Sequence, residues 1–238
     1  MKNTITIFLI LLLAIPIKIY SQDIPSSIRS RKAIAKVKPM LEKQTADSNL
    51  ILGEPIYIRI FKEEKELEVW IQKENGFQLF KIYPICTYGY GTLGPKIRQG
   101  DGQAPIGFYY VKPNQLNPYS SYHLSFNLGY PNAYDRAHER TGSALMVHGN
   151  CVSIGCYAMT NDGIDEIYTI VDAALSDGQP FFRVHIFPFR MTNENMENHN
   201  DSSWYSFWEN LKDGYDFFEE NNNNPPNVTV RNETYVFN

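Results

Sequence analysis

An excess of charge of either sign is missing from this chain. Across 238 residues, 22 lysines and arginines stand against 26 aspartates and glutamates, a formal net charge of −4. A nucleic-acid partner calls for a basic face, and this balance gives no support for one. It suits a protein that handles small or peptide substrates. Cysteine is scarce as well. The three are Cys86, Cys151 and Cys156, an odd number that leaves room for a free thiol. With His148 they give the spacing His-x2-Cys-x4-Cys, which is not a familiar zinc pattern, so no metal and no other cofactor is expected. Internal repeats are lacking, and past the N-terminus there is no long hydrophobic run.

The one long apolar run is at the start. Lys2 precedes residues 5–17, interrupted only by Thr6 and Pro16, and Tyr20-Ser21-Gln22 offers a small-residue cleavage site before Asp23. Residues 1–22 therefore read as a secretory signal peptide, too short and wrongly flanked for a membrane span, with an uncleaved anchor as the alternative. Cleavage removes Lys2 and Lys18 and leaves a charge of about −6 on the remainder. The mature protein is expected in the periplasm, with no stable membrane span.

What is plentiful is aromatic and β-branched. Sixteen tyrosines and fourteen phenylalanines fit either strand surfaces or an aromatic-lined groove. Residues 23–52, with scattered basic side chains among Ala, Val and Leu, form a helical lead-in. Strands follow: Ile56, Ile58 and Ile60 alternate with Tyr57, Arg59 and Phe61, and Leu67, Val69 and Ile71 alternate with Glu66, Glu68 and Trp70. Asn75-Gly76 predicts the turn of a hairpin over 66–86. Six glycines with Pro95 and Pro105 make 87–107 a long loop before a strand at 108–111. Residues 113–140 carry little hydrophobic periodicity and read as an ordered flap or insertion rather than core. Ala144 to Val147 form a buried strand. Ile164, Ile167, Tyr168, Val171, Ala174 and Leu175 share one helical face, with Thr160, Asn161 or Asp162 as cap and Gly178 as stop. A strand at 181–187, an amphipathic helix at 202–219, an Asn/Pro linker and a strand at 228–237 complete the chain. The layout is a mainly β catalytic domain over 53–190, sandwich- or barrel-like with one or two packed helices, and a C-terminal extension over 191–238.

The chemistry concentrates in His148-Gly149-Asn150-Cys151-Val152-Ser153-Ile154-Gly155-Cys156-Tyr157-Ala158-Met159. A thiol attacks carbonyls as thiolate, so Cys156 needs a neighbouring imidazole or positive potential to lower its pKa. His148, at the end of a buried strand, supplies one. Gly155 lets the backbone approach closely, so that its own N–H and that of Cys156 are candidates for an oxyanion hole. His185 competes as base, but its neighbours Val184 and Ile186 favour a structural strand position. Cys151 is read as structural and Ser153 as a hydrogen-bonding residue that shapes the loop. A Cys86–Cys151 disulfide, a reversible Cys151–Cys156 bond and three reduced thiols all stay open.

These residues resemble the L,D-transpeptidase catalytic domain (YkuD-like) family, which carries a His-Gly pair followed by Ser-x-Gly-Cys on a β fold. His148-Gly149 and Ser153-Ile154-Gly155-Cys156 match those elements, and Ala104-Pro105-Ile106-Gly107-Phe108-Tyr109 looks like the family's upstream Thr-Pro-x-Gly-x-Phe. The motif run and the stretch 120–149 are similar to a YafK-like subgroup of periplasmic murein enzymes. The resemblance covers roughly 54–195. It departs from the general pattern in a short loop between the two motif halves and in Tyr157-Ala158-Met159, where most members carry Arg or Asn two residues past the Cys.

The resemblance implies acyl transfer on peptidoglycan stem peptides. Cys156 attacks the carbonyl at the L-centre of diaminopimelate, and His148 is the base, oriented by the Gly149 carbonyl. The thioester is resolved by an amine, giving cross-linking or protein attachment, or by water, releasing a protein held to the wall through a lysine amine. Substrate carboxylates would meet Arg136, Arg140 and His123, with Ser153 shaping the site. The alternative is a wall-binding module without catalysis.

Overall fold

The computed structural model describes residues 23–238, so the expected signal peptide lies outside the described residues. Ser27 caps the first helix, α1 (Ile28–Asp47), by accepting from the Ser30 N–H, and Ala33, Val37 and Leu41 recur at helical spacing along its buried face. Three strands follow, β1 (Ile56–Phe61), β2 (Glu66–Lys73) and β3 (Gly76–Pro84). Pairing of Lys73 with Gly76 makes Glu74-Asn75 the two-residue turn, with Glu74 at φ 50°, so the expected turn glycine is instead the first residue of β3. After the glycine-rich loop come β4 (Gly107–Val111), a 3-10 turn at Pro113–Gln115, β5 (Leu116–Asn117), β6 (Ser125–Asn127), the short α2 (Ala133–Ala137), β7 (Met146–His148) and β8 (Tyr157–Ala158). Then α3 (Asn161–Ser176), capped by Thr160, leads to β9 (Phe182–Phe187), α4 (Asn193–Asn198), α5 (Tyr205–Glu220) and the pair β10 (Val228–Arg231) and β11 (Thr234–Phe237).

The fold is mainly β, as expected. Its largest sheet has the order β3-β2-β1-β9-β4, in which β1 and β9 run parallel and the other pairs antiparallel. A smaller sheet, β5-β6-β7-β8, carries the motif strands. The alternation in β1 and β2 predicts one buried face, yet β1 is buried throughout. The C-terminal helix α5 is the reason. Its Tyr215 packs on Phe61 and Phe187, and its Phe218 packs on Trp70. Under that helix Glu68 is almost fully enclosed and accepts from Arg59 Nε (2.8 Å), Arg190 Nη1 (2.7 Å) and Trp70 Nε1 (2.8 Å). A carboxylate survives burial only with such partners; removing one costs about 3–5 kcal/mol.

Two expectations are corrected. Residues 113–140 are not a flap outside the core: Leu116, Leu124, Phe126, Leu128, Tyr130 and Tyr134 are all buried, and Phe126 meets Phe182 of β9 edge-on at 5.4 Å. Elements of two to five residues are too short to show a period. Residues 228–237 form a hairpin rather than one strand. Asn232 and Glu233 both adopt positive φ, the requirement of a type I′ turn, which Asn-Gly would have advertised and Asn-Glu does not.

Candidate active site

His148 ends β7, buried, with β6 on one side and β8 on the other. Its Nδ1 shares a 2.6 Å hydrogen bond with the Gly149 carbonyl, and its ring lies against Tyr122 at 4.7 Å. The backbone continues the clamp: Gly149 N–H donates to the Tyr122 and Leu124 carbonyls, and Met159 N–H donates to the His148 carbonyl at 2.7 Å. Position 149 has no room for a side chain, because a Cβ would sit 2.7 Å from Asn161 Oδ1 and 3.1 Å from His123 Cβ. Burial lowers the His148 pKa, the Gly149 hydrogen bond opposing it, so the ring is neutral at pH 7.

The parallel register sets His148 beside Ala158. Cys156 lies in the bend that leads directly into β8, two residues before Ala158. The thiol is free and half-buried. Its Sγ donates to the Ala144 carbonyl at 3.7 Å, and among the described residues no hydrogen bond joins it to the imidazole. The expectation of a depressed thiol pKa is not met. Desolvation pushes the Cys156 thiol up, and the Met146 N–H and the Lys96 charge offset that only in part.

Between His148 and Cys156 the chain makes a tight loop. Asn150 and Cys151 both take positive φ, and Cys151 is bonded to Cys86. The two rival cysteine states are thereby replaced by a Cys86–Cys151 disulfide that leaves Cys156 free. Ser153 organises the turn: its Oγ accepts from the Gly155 N–H (3.0 Å) and the Cys156 N–H (2.7 Å) and donates to the Cys156 carbonyl (2.7 Å). Gly155 has φ 145°, and a Cβ there would lie 3.1 Å from the Gln103 carbonyl oxygen. The glycine-rich loop is thus seated directly on the motif turn. Lys62 holds that loop from below, fully buried, with Nζ donating to the Gly94 and Ala104 carbonyls; burial pushes its pKa down to about 7.

The remaining candidates part company. His123 abuts Gly149, and its Nε2 meets Asp165 Oδ1 at 2.6 Å. Arg140 is buried, paired with Asp135 Oδ1 at 3.0 Å and covered by the rings of Tyr134 and Phe207. It braces the core, which corrects its expected role on a substrate carboxylate. Arg136 donates to the Pro131 carbonyl and lines a groove with Phe108, Val228 and Tyr235, apart from the residues that flank the thiol. His185 lies within the large sheet, fully buried, its Nδ1 on the Tyr57 hydroxyl at 2.8 Å. Cys151, weighed with His148 and Cys156 as a metal ligand, is held in the disulfide. Tyr122, Ala144 and Met146, which flank the ring and the thiol, carry no signal in the sequence.

Comparison with known proteins follows the same residues. The sequence profile of the YkuD L,D-transpeptidase catalytic domain matches residues 55–186. A curated protein of Escherichia coli K12 named "Putative L,D-transpeptidase YafK" is 54% identical over 186 residues, 78% of this chain and 75% of that protein. Among solved structures, a mutant of the helical cell shape determining protein Pgp2 from Campylobacter jejuni aligns with TM-score 0.48 and 18% identity, over 79% of this chain and 63% of that one. Less than two thirds of that protein is therefore spanned. Bdellovibrio bacteriovorus Bd1075 aligns with TM-score 0.42 and 19% identity, over 75% and 78% of the two chains. On the profile match and the extent of the sequence identity, the chain belongs to the L,D-transpeptidase catalytic domain family.

Proposed function

We propose that the protein is an exported, periplasmic cysteine acyltransferase acting on peptidoglycan stem peptides through a Cys156 thioester. The observation that carries this reading is a clamped, neutral His148 imidazole on β7 together with a free Cys156 thiol at the entry to β8, the strand paired with β7. Family membership and the similarity to the Escherichia coli protein named as an L,D-transpeptidase support the substrate class. Cys156 Sγ attacks the carbonyl at the L-centre of diaminopimelate, and its proton passes to His148 Nε2, Nδ1 being held by the Gly149 carbonyl. With the thiol pKa raised and the imidazole pKa lowered, the resting pair is uncharged and the proton moves as the C–S bond forms. The oxyanion is stabilised by the Gly155 and Cys156 N–H groups after it displaces the Ser153 hydroxyl that caps them at rest. Collapse breaks the C–N bond, and the leaving amine takes the proton from His148. An incoming amine then forms a cross-link or attaches a protein, or water frees the stem peptide as its carboxylic acid, a wall-linked protein having already left as the lysine amine; either gives its proton to His148, which returns it to the departing sulfur and regenerates the thiol.

The test incubates purified protein with muropeptides and with a muropeptide-linked lysine peptide, and reads products and any acyl-enzyme by mass. Wild type converts a substrate and gains the acyl mass on the peptide containing Cys156; Cys156→Ala and His148→Ala lose activity by at least about a thousandfold, and His185→Ala keeps most of it. Equal conversion by wild type and Cys156→Ala would overturn the mechanism.

A further inference from the structure

Beside the thiol runs an open groove of about 760 Å³, and it reaches the nucleophile through shared residues. Ala144 and Met146 line it, and the Ala144 carbonyl is the acceptor of the Cys156 thiol. No Asp, Glu, Lys, Arg or His is among its lining residues. Its walls combine side-chain amides, a serine hydroxyl and tyrosines with two prolines, Leu116, Ala144 and Met146. Tyr119 stands at the rim, 74% exposed yet fixed at both ends: its hydroxyl donates to the Ser26 carbonyl at 2.9 Å and its N–H to Asn117 Oδ1 at 3.1 Å. An aromatic ring held rigid and left in water is a stacking platform that loses little entropy on binding. Asn117 and Asn127 each use Oδ1 within the chain, on Tyr119 N–H and Gly129 N–H. Their Nδ2 groups, and the Ser143 hydroxyl, have no intramolecular partner among the described residues.

A stem peptide carries carboxylates and an amine and calls for charged partners. Such a chain finds cations on the far side of the Tyr119 ridge, where Arg29, Arg31 and Lys32 line a separate groove. The glycan strand of peptidoglycan is different. Its lactyl carboxyl is consumed in the amide to the stem, so the strand presents N-acetyl groups, hydroxyls and apolar sugar faces without charge. From this complementarity we infer that the groove of Tyr119, Asn117, Asn127 and Ser143 is a glycan subsite, which binds the uncharged amino-sugar strand while the attached peptide reaches Cys156. This rests on the proposed peptidoglycan substrate and adds a second recognition element to it.

Two measurements test it. Saturation-transfer difference NMR with an N-acetylglucosamine tetramer asks for binding without catalysis. Wild type and Cys156→Ala transfer saturation to the N-acetyl and ring protons, Tyr119→Phe retains the signal, and Tyr119→Ala loses it. Kinetics compare a disaccharide-tetrapeptide with the same tetrapeptide lacking sugars. The sugar-bearing substrate has the larger kcat/KM by about tenfold, and that advantage falls toward unity in Tyr119→Ala, with folding checked by circular dichroism. The subsite is refuted if the tetramer signal is absent or survives in Tyr119→Ala, or if the sugars confer no advantage. Should neither substrate be turned over, the acyl-transfer reading fails, and the NMR arm still decides the groove.

Discussion

The Cys86–Cys151 disulfide permits a quantitative test. It joins the end of β3 to the motif loop across a sequence separation of 65. Closing a loop of that length lowers the entropy of the unfolded chain by about 14 cal/mol/K, so losing the bond costs about 4 kcal/mol at 25 °C. For a protein of this size that is a fall in Tm of roughly 8–16 °C. The folded state has reason to survive the loss. Cys86 N–H donates to the Ala158 carbonyl at 2.8 Å and Cys151 N–H to the Met159 carbonyl at 3.1 Å, so both cysteine backbones stay tied to the chain around β8 without the sulfur bridge. The perturbation is the double variant Cys86→Ala/Cys151→Ala, read by thermal melting followed by circular dichroism, alongside wild type with and without a phosphine reductant. Reduced wild type is expected to melt close to the double variant, both well below oxidised wild type. Thiol titration under denaturing conditions should count one sulfhydryl before reduction and three after. Three before reduction, or a Tm shift below about 3 °C, would refute the reasoning.

Three further outcomes follow from the site and its supports. The pH profile of kcat/KM has an acid limb with its midpoint below about 6.5, because burial lowers the His148 pKa and only the neutral ring accepts a proton; a midpoint above that value contradicts the neutral-pair mechanism. Arg140→Ala removes the cation paired with the buried Asp135 carboxylate, leaving it only the Tyr109 hydroxyl and the Asn132 N–H, and lowers stability by about 3–5 kcal/mol in urea unfolding, whereas Arg136→Ala stays within about 0.5 kcal/mol. A rise in KM for Arg140→Ala at unchanged stability would restore it to substrate binding. Gly155→Ala forces a side chain into φ 145° against the Gln103 carbonyl and costs about 1–3 kcal/mol; an unchanged urea midpoint would show that the turn relaxes freely.

Period and punctuation made much of the fold legible. Ile164 to Leu175 announce α3 because one helical face is apolar over about three turns, and the Ile-rich alternation announces β1 and β2 because a pleat shows two faces. Where elements shrink to two or three residues, as in β5, β6 and β8, the same signal vanishes, and the 113–140 stretch was invisible as core. Glu68 and Arg59 read as solvent-facing because their partners Arg190 and Glu219 lie more than a hundred residues away. The arginines before the motif look alike in sequence; only packing separates the enclosed Arg140 from the exposed Arg136.

The sequence by itself determined that a histidine, a following glycine and a Gly-Cys pair occur together at the start of a helix-bearing β segment, since residue type and short-range spacing are local properties. Tertiary structure decided what the chain could not state. It paired β7, which ends on the imidazole, with β8, which the thiol precedes, chose Cys86 as the partner of Cys151, and raised rather than lowered the thiol pKa by partly burying it. It also laid a charge-free groove beside that thiol. Each of these depends on which distant segments exclude water from a residue, and solvent exclusion is a property of the packed chain, not of any stretch of its sequence.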